Sequence, residues 1–532
     1  MDFKSTYIPY RQTGAFSKIV VDYLDNATPL KPFYNNLPTI EGIKKSIEER
    51  KGFPTNRKLL VEELRKQYAS MDATGKTVSN IESLLSENTF TICTAHQPNI
   101  FTGHLYFIYK IMHAIKLADD LKQELPAYNF VPVYYMGSED ADLEELGEAT
   151  INGKKYEWKT KQTGAVGRMK VDKEFLQLVE SIKGQLLVEK FGKEIMGLVE
   201  SSYTIDKTIE QSTLEFVHAL FKDFGLIIFL PDNPVFKNEF AVITKKELNE
   251  QFSNKLVEET IKKFPAEYKV QAAGRELNLF YLKDDIRERV EFQNNSFLVA
   301  NTSLSFSKEE IEQELKEHPE RFSPNVILRP VFQEFILPNI AFIGGGGELA
   351  YWLELKLVFE SVAVPFPVLL LRNSFMILSS KIASKIASLN LDALAFFKPA
   401  NELINDLVQK ESTLDLKLDQ QKKSFSSLYE TMKQAATNVD VSLQRHVEAL
   451  QTQAIKRIDQ LEKKMLKSEK KKFEAQQRQV QKIKDSLFPN GSLQERVDNL
   501  LPFYAMWGKG FLKMLYETST GLSQEFCIVE ES

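Results

Sequence analysis

The strongest constraint on the fold is a pair of short apolar runs with one helical pattern between them. Residues 90–94 and 130–136 are rich in β-branched, aromatic and aliphatic side chains, which is typical of buried strands. Between them, apolar residues recur every three or four positions from Leu105 to Ala118, and this spacing predicts a helix with one buried face. A strand, a helix and a second strand in this order form a βαβ unit, so we predict an α/β protein with a parallel sheet.

The same pattern returns much later in the chain. Residues 340–343 predict another strand, which a glycine run joins to a helix beginning at Glu348, and residues 366–371 predict the next strand. The intervening segments do not fit this pattern, and Asn152-Gly153 is typical of the turn of an antiparallel hairpin. The sheet is therefore predicted to consist of separate pieces with insertions between them.

Composition changes along the chain divide it into predicted segments. Prolines interrupt the helical patterns near the amino terminus, and glycine is absent between residues 400 and 490. We predict that residues 1–88 form a helical and irregular segment that packs on the core, 89–399 the parallel-sheet core with insertions at about 148–222 and 265–325, 400–488 an α-helical coiled coil, and 489–532 a segment that returns to the core.

The glycine-free region has the apolar spacing of a coiled coil. Its seam consists of apolar residues that step by three and four: Leu443, Val447, Leu450, Ala454, Ile458, Leu461 and Met465. We predict that residues 400–487 form a homodimer through this seam, and an intramolecular hairpin is the alternative. Residues 456–484 contain eleven Lys and Arg against four acids, which we interpret as a solvated helix face rather than an RNA-binding surface.

Composition excludes several other classes of protein. The formal net charge of -5 over 532 residues argues against a protein that coats nucleic acid. Two cysteines, with neither a CxxC nor an HExxH motif, argue against a disulfide framework and against a zinc site. The sequence has no signal-peptide pattern and no apolar run long enough to span a bilayer. We therefore expect a cytoplasmic protein with no zinc and no nucleic-acid or membrane partner.

The first candidate site is the loop that joins the first strand of the βαβ unit to its helix. It begins with His96 and Gln97 and ends with Gly103 and His104. Open parallel sheets bind ligands at such strand ends, and the first turn of the helix favours anions. Two histidines here could stabilise charge on a phosphate, while Thr102 could cap the helix and Gly103 would let a ligand approach the backbone. The alternative is an ordinary βα loop.

The second candidate site follows the next strand of the same unit. Glu139, Asp140 and Asp142 lie in an acidic loop, at the sheet edge where the first loop also opens. Carboxylates there could hold an ammonium group, hold Mg²⁺ bound to phosphates, or accept a proton from an attacking amine. The alternative is a helix amino terminus decorated with acids, which the helix dipole favours.

The third candidate site is the glycine run with its neighbours. Gly345-x-Gly347-x-x-Ala350 fits a relaxed dinucleotide fingerprint, but no ribose-binding acid follows at the usual spacing. Arg372 could suit a 2′-phosphate, so an NADP-linked enzyme remains an alternative. More simply, the glycines would pack against a phosphate or carboxylate, and Arg329 would bind a carboxylate.

Together these motifs resemble the BshC family, named for the cysteine ligase of bacillithiol biosynthesis. The resemblance rests on motifs that occur in order: His96-Gln-Pro with Gly103, Tyr109-Lys110, Gly137-x-Glu-Asp-x-Asp142, Arg329-Pro-x-x-Gln333, and Gly344-x-x-Gly347-Glu348-x-Ala-Tyr-Trp352 with Lys356. The chain departs from the family pattern at Ala141, where histidine is common, and at His104, where proline is common.

The resemblance implies a fold and a reaction. The fold is a Rossmann-like core similar to class I aminoacyl-tRNA synthetases and nucleotidylyltransferases, with connecting-peptide insertions and a coiled coil that makes a homodimer. The reaction joins cysteine to glucosaminyl-malate through an amide bond, as the last step of bacillithiol synthesis. It implies ATP, with or without Mg²⁺. The alternatives are the NADP-linked oxidoreductase and a non-catalytic coiled-coil scaffold that binds a nucleotide.

The predicted site residues follow from these motifs. We predict His96, Asp140 and Asp142 as catalytic residues and no metal ligand. The residues predicted to bind substrate or nucleotide are Gln97, Gly103, His104, Glu139, Arg329, Gln333, Gly344, Gly345, Gly346, Gly347, Glu348, Trp352, Lys356, Arg372 and Asn373.

Overall fold

The computed structural model describes residues 3–531 apart from residues 74, 273, 413 and 415. The chain divides into two compact units. The first unit comprises the chain up to Ile377 together with the chain from Ser492 onward, and the second is Leu378–Gly491.

The strands are short and are concentrated in the first unit. In chain order they are β1 (Phe3–Pro9), β2 (Thr89–His96), β3 (Asn129–Met136), β4 (Glu148–Ile151), β5 (Lys154–Glu157), β6 (Ile227–Phe229), β7 (Leu279–Lys283), β8 (Ile286–Gln293), β9 (Ser296–Val299), β10 (Ser305–Phe306), β11 (Phe322–Pro324), β12 (Asn339–Gly344), β13 (Val368–Leu371), β14 (Ser374–Leu378) and β15 (Glu525–Glu531).

The helices of the first unit surround these strands. They are α1 (Tyr10–Thr13), α2 (Lys18–Leu24), α3 (Ile40–Lys51), α4 (Arg57–Tyr68), α5 (Gly75–Ser83), α6 (Leu105–Glu124), α7 (Leu143–Leu146), α8 (Lys173–Leu186), α9 (Gly192–Ser202), α10 (Ile209–Phe221), α11 (Pro234–Glu250), α12 (Phe252–Lys263), α13 (Lys308–Glu317), α14 (Arg329–Ile336), α15 (Gly346–Trp352) and α16 (Lys356–Ser361).

The remaining helices lie in the second unit and near the carboxyl terminus. Those of the second unit are α17 (Ser380–Ser388), α18 (Ala400–Glu411), α19 (Asp419–Val439), α20 (Leu443–Lys470) and α21 (Glu474–Leu487), and those that follow it are α22 (Leu500–Trp507) and α23 (Lys509–Thr518).

The central sheet is parallel and has the strand order β13-β12-β2-β3-β6. Every residue of β2 is buried, because this strand is at the middle of the sheet and packs against α6. From β2 the chain adds β3 and then β6 on one side, whereas β12 and β13 join on the other side. The strand order therefore reverses between β2 and β12, and in open α/β sheets such a reversal opens a crevice at the carboxyl ends of the strands.

Two antiparallel sheets and a hairpin flank this centre. The terminal strands β1 and β15 pair from Phe3–Glu531 to Pro9–Glu525, in a sheet with β14, and the sequence analysis did not predict β1. A second sheet has the order β10-β9-β8-β7-β11. The predicted hairpin at Asn152-Gly153 is confirmed by the antiparallel pairing of β4 with β5.

The second unit is built around an antiparallel pair of long helices. Lys422 on α19 pairs with Asp459 and Glu462 on α20, and Lys433 pairs with Glu448, so the two helices run in opposite directions. The predicted parallel-sheet core and coiled coil are thus confirmed. In the described part of the chain, no helix has the length and apolar content needed to cross a membrane.

Candidate active site

A cavity opens where the strand order of the central sheet reverses. Its volume is about 360 Å³, and β2 ends on one side of it at His96 while β12 ends on the other side at Gly344. The lining residues are His96, Gln97, Tyr106, Lys110, Glu145, Val326, Arg329, Gly345, Gly346, Gly347, Glu348, Tyr351, Arg372 and Arg496. Eight of the predicted site residues therefore meet here, as expected for loops that follow neighbouring parallel strands.

His96 is buried at the edge of this cavity and is 8% exposed. Its ring lies 5.0 Å from the ring of Phe107, and its Nε2 atom has no hydrogen-bond partner among the described residues. Burial, followed by the positive charge of Lys110, holds the pKa of His96 well below its usual value. His96 is therefore a neutral imidazole at neutral pH, and its Nε2 atom can form a hydrogen bond with a ligand.

The glycine loop forms the opposite wall. The backbone N–H of Gly345 donates to Glu348 Oε2 at 2.7 Å, which holds the loop against the start of α15. Glu348 also pairs with Lys110, and the Lys110 ammonium donates to the carbonyl of Ala95 at 2.9 Å. Lys110 is only 2% exposed, and its burial lowers its pKa. This buried ion pair connects the glycine loop to α6 and to β2.

Three arginines make the cavity positive. Arg372 donates to Glu495 at 2.6 Å, and its Nε atom has no partner among the described residues. Burial opposes the charge of Arg329, but the neighbouring Tyr351 and Asp140 raise its pKa above the ordinary arginine value. Including Lys110, the lining contains four cations and two acids, which favours an anionic ligand.

The third arginine, Arg496, comes from the segment that follows the second unit. It is exposed, and no described residue forms an ion pair with it. Gln494 holds this segment by accepting from the backbone N–H of Ile377 at 2.9 Å, and Asn499 donates to the carbonyl of Phe101 at 2.9 Å. The carboxyl-terminal part of the chain thus completes the cavity.

The acidic loop has a different arrangement from the one the sequence suggested. Glu139 is 6% exposed and pairs with Lys237, which also lies 3.7 Å from Asp232. Arg168 binds Asp232 through two contacts of 2.6 and 2.8 Å. Glu139 therefore belongs to a buried charge cluster and does not line the cavity.

The two predicted catalytic aspartates also have partners within the protein. Asp140 accepts from Gln97 Nε2 at 3.2 Å and from the backbone N–H of Ala141 at 2.8 Å, and Arg287 lies 4.0 Å away. Although burial alone would raise the pKa of Asp140, these contacts lower it, so this carboxyl is ionised. Asp142 is exposed and caps α7 by accepting from the backbone N–H of Glu145 at 3.2 Å.

Gly103 and His104 lie beside the cavity and do not line it. Gly103 has a φ of +62°, and a Cβ atom there would lie 2.8 Å from the Cβ of Asn99. Its carbonyl accepts from Asn499 Nδ2 at 2.5 Å, so the glycine serves the loop's own packing. The N-cap of α6 is His104 and not Thr102, because the helix begins at Leu105.

Five further predicted residues have structural contacts instead. Gln333 donates to Glu334 at 2.9 Å, and a Cβ on Gly344 would lie 2.9 Å from the Phe342 ring. Trp352 is 1% exposed and stacks on Phe342 at 4.2 Å. The last two bind neighbouring segments: Lys356 donates to the carbonyl of Pro32 at 3.1 Å, and Asn373 donates to Thr520 at 3.1 Å.

The sequence analysis left several lining residues out of the predicted site. Tyr106 and Lys110 are four residues apart on α6, so helical periodicity after the first loop could have identified them. Tyr351 lies beside Trp352 on α15, and only the structure shows which of the two side chains lines the cavity. Arg496 had no local signal, because it reaches the cavity from a distant part of the chain.

Within residues 3–531, with the four gaps named above, no group of three or more His, Cys, Asp or Glu side chains is arranged to hold a metal ion.

Comparison with known proteins identifies relatives over the whole chain. A family model for the "Bacillithiol biosynthesis BshC, N-terminal Rossmann-like domain" matches residues 3–373, and one for the "C-terminal coiled-coil domain" matches residues 375–531. A protein from Flavobacterium johnsoniae is 40% identical over 98% of this chain and 99% of its own. One from Bacillus cereus is 26% identical over 97% of each chain, and both are named "Putative cysteine ligase BshC".

One solved structure is a weaker match. It is named "putative arginyl t-RNA synthetase" from Campylobacter jejuni and covers 84% of this chain and 98% of its own, at 11% identity and a TM-score of 0.24. This TM-score is too low to indicate a shared fold. The two family models and the full-length relatives are sufficient by themselves: the chain belongs to the BshC family.

Proposed function

We propose that this protein is an ATP-dependent ligase that joins the carboxyl group of cysteine to the amine of glucosaminyl-malate, giving bacillithiol. Family membership supports the reaction, since relatives over the full length are named cysteine ligases. The observation that carries the proposal is the positive cavity with the neutral His96 at its edge. Because ATP and cysteine are cytoplasmic metabolites, we place the reaction in the cytoplasm.

The cavity residues fit a nucleotide phosphate. Lys110, Arg329, Arg372 and Arg496 line one space, and the Nε atom of Arg372 and the Nε2 atom of His96 lack partners among the described residues. Guanidinium groups bind phosphate oxygens through paired hydrogen bonds. Mg²⁺ would enter with the phosphates, because it keeps several waters and needs only one or two carboxylates from protein.

Activation explains why such a site would need ATP. An amide does not form from a free carboxylate and an amine in water without activation, and ATP supplies a phosphate leaving group on the cysteine carboxyl. The cations would hold the phosphates and reduce the negative charge that opposes attack of the carboxylate. His96 would donate a hydrogen bond to an oxygen on which charge develops, which a neutral imidazole with one N–H can do.

The NADP-linked alternative has less support. No ribose-binding acid follows the glycine loop at the usual spacing, and the backbone N–H of Gly345 already donates to Glu348. A non-catalytic scaffold remains the contrasting hypothesis that the assay addresses.

The test is a reconstitution with the full-length protein, cysteine, glucosaminyl-malate and ATP, followed by mass detection of bacillithiol. Product should require all three substrates, and ATP should be consumed in equal amount. His96→Ala should lower turnover about 10²-fold, the usual order of magnitude for losing one transition-state donor. His318→Ala, at a partly exposed histidine outside the cavity lining, is the matched control. Absence of product with the folded wild-type protein, or equal rates for both variants, would contradict the proposal.

We also propose that the second unit forms a homodimer. Several large apolar side chains on α19 and α20 face outward in the single chain: Leu428 is 56%, Leu450 40% and Leu461 52% exposed. Their burial against a second copy would remove apolar surface from water, at about 25 cal/mol per Å². This interpretation places the predicted seam at an interface between copies.

Light scattering tests the dimer directly. The double variant Leu450→Glu, Leu461→Glu should run as a monomer, because it places two carboxylates in an apolar interface. A control pair at exposed polar positions of the same helix, Gln453→Glu with Gln460→Glu, should remain dimeric. A monomeric wild-type protein would contradict the proposal.

A further inference from the structure

Glu145 is the acid of the cavity lining whose carboxylate has no partner among the described residues. The other acid in the lining, Glu348, pairs with Lys110 and accepts from the backbone of the glycine loop. Glu145 forms no ion pair with any residue that the structure describes, and only its backbone atoms have hydrogen-bond partners there. It is exposed at the mouth of the cavity.

The acids that the sequence favoured are less suited to meet a substrate. Asp140 is occupied by Gln97, Ala141 and Arg287, and its charge is stabilised by them. Asp142 caps α7, and Glu139 pairs with Lys237. Helix α7, which follows the acidic loop, thus places at the cavity the carboxylate of Glu145, which pairs with none of the described residues.

A second observation indicates that a ligand binds at this place. His96 lines the same cavity, is more than nine-tenths buried, and has an Nε2 atom without a partner in the described part of the chain. A buried polar atom without a partner costs free energy unless a ligand satisfies it. The acid and the histidine therefore flank one space in which a reacting group can sit.

We propose that Glu145 is the catalytic base that accepts the proton of the attacking amine, and this inference rests on the ligase function proposed above. The amine nitrogen of glucosaminyl-malate, entering as the free base, forms a C–N bond to the activated cysteinyl carbonyl carbon. One N–H bond breaks, and its proton passes to the Glu145 carboxylate. The C–O bond to phosphate breaks with its electron pair, so phosphate leaves as an anion, and Glu145 then releases the proton to water.

The surroundings of Glu145 suit this role. Burial first, and then the nearby charges of Asp142, Asp140 and Glu148, raise the pKa of its carboxyl. A carboxylate with a raised pKa is a stronger base than an ordinary carboxylate. Tyr106 from α6 lies near it, and after burial Glu145 is the largest cause that raises the pKa of Tyr106 to about 12.

The chain offers a matched pair of variants. Glu145→Gln keeps the size of the side chain and removes its basicity, so amide formation should slow about 10²-fold or more. Glu144→Gln makes the same change one residue earlier, at an exposed acid outside the cavity lining, and should leave the rate unchanged. Both variants are assayed as full-length protein by the mass detection of bacillithiol.

A second nucleophile separates base catalysis from a fault in folding or activation. Hydroxylamine is a much weaker base than the sugar amine, so after it attacks the carbonyl its nitrogen loses a proton readily to water. It therefore captures activated cysteine as the hydroxamate without help from Glu145. Glu145→Gln should form the hydroxamate at the wild-type rate while it is slow with glucosaminyl-malate. Equal slowing with both nucleophiles, or no slowing with either, would overturn the assignment.

The outcomes also separate this inference from the proposed function. If the wild-type protein forms neither bacillithiol nor the hydroxamate, the ligase proposal fails and the assignment of Glu145 fails with it. If the wild-type protein forms both, and Glu145→Gln matches it with glucosaminyl-malate, the ligase proposal stands and only the role of Glu145 is wrong.

Discussion

The glycine loop and the acidic loop follow strands of the same sheet, yet they use their polar residues in opposite ways. Gly345, Gly346, Gly347 and Glu348 all line the cavity. Of the acids that the sequence singled out in residues 139–142, none lines the cavity, because Glu139 and Asp140 contact cations from other segments and Asp142 caps α7.

The difference comes from the segments that pack against each loop. The glycine loop has no side chains to be captured, and its single acid is held by Lys110 beside the cavity. Two cations pack against the acidic loop: Lys237 from α11 pairs with Glu139, and Arg287 from β8 lies near Asp140. These contacts hold the two carboxylates outside the cavity lining. The residue types at a strand end thus predict where a site lies, whereas the contacts of each side chain with other segments determine which side chains face the ligand.

The largest expected effect concerns the buried cluster behind the acidic loop. Lys237→Met should leave Glu139 buried without its cation, while Asp232 keeps Arg168, and the unpaired carboxylate costs about 3–5 kcal/mol of unfolding free energy. Lys245→Met, on the same helix but in a surface pair with Glu312, should cost about 1 kcal/mol or less.

Tryptophan fluorescence during denaturant unfolding reports on the stability of the first unit, which contains the cluster. All three tryptophans of the chain lie in the first unit, at positions 158, 352 and 507. Similar midpoints for the Lys237 and Lys245 variants would show that the cluster is not a stabilising element.

At the glycine loop, loss of the ion pair between Lys110 and Glu348 should lower the turnover rate. Lys110→Met removes a cation from the cavity and leaves Glu348 unpaired, so we expect a loss of 10²-fold or more in turnover, equal to about 2.7 kcal/mol or more. Adding Glu348→Gln should restore much of the stability and none of the activity. Lys116→Met, in a surface pair with Asp120 on the same helix, is the control. Recovery of activity in the double variant would refute the catalytic use of this charge.

Asp140 and Asp142 lie in the same loop but have different roles: Asp140 contacts the cavity residue Gln97, whereas Asp142 caps a helix. Asp140→Asn weakens the contacts that position Gln97 at the cavity, and losing such a charge-assisted contact costs about 1.5–3 kcal/mol, a roughly ten- to hundredfold loss in turnover. Asp142→Asn keeps the helix cap and should leave both turnover and melting temperature unchanged. A larger loss of turnover for Asp142→Asn would show that the exposed acid is the functional one.

The sequence predicted the elements whose signals are local. The unit β2–α6–β3 follows from apolar spacing, the β4–β5 hairpin from Asn152-Gly153, and the coiled coil from its seam. The three loops at the sheet edge were located correctly by the rule that parallel strands end at one edge.

What the sequence could not provide depends on partners far apart in the chain. The pairing of β1 with β15 joins the two ends of the chain, and Arg496 reaches the cavity only after the chain has passed through the second unit. The partners of Glu139 and Trp352 depend on tertiary packing, which the local spacing of residues in the sequence does not reveal. The same limitation explains why Thr102 was expected to cap α6 in place of His104.

The smallest expected effect is a dependence of stability on pH near the acidic loop. Burial, and then the charge of Asp232, raise the pKa of Glu210 on α10 to about 8, and its Oε2 atom is buried without a partner among the described residues. The folded state therefore binds a proton that the unfolded state has already lost above a pKa of about 4.3, so this carboxyl reduces stability as the pH rises between these two values. Glu210→Gln mimics the protonated acid and should stabilise the first unit at pH 8, with almost no difference at pH 4. Melting curves of both proteins at the two pH values measure this, and a stabilisation that is the same at both would show that Glu210 does not titrate in this range.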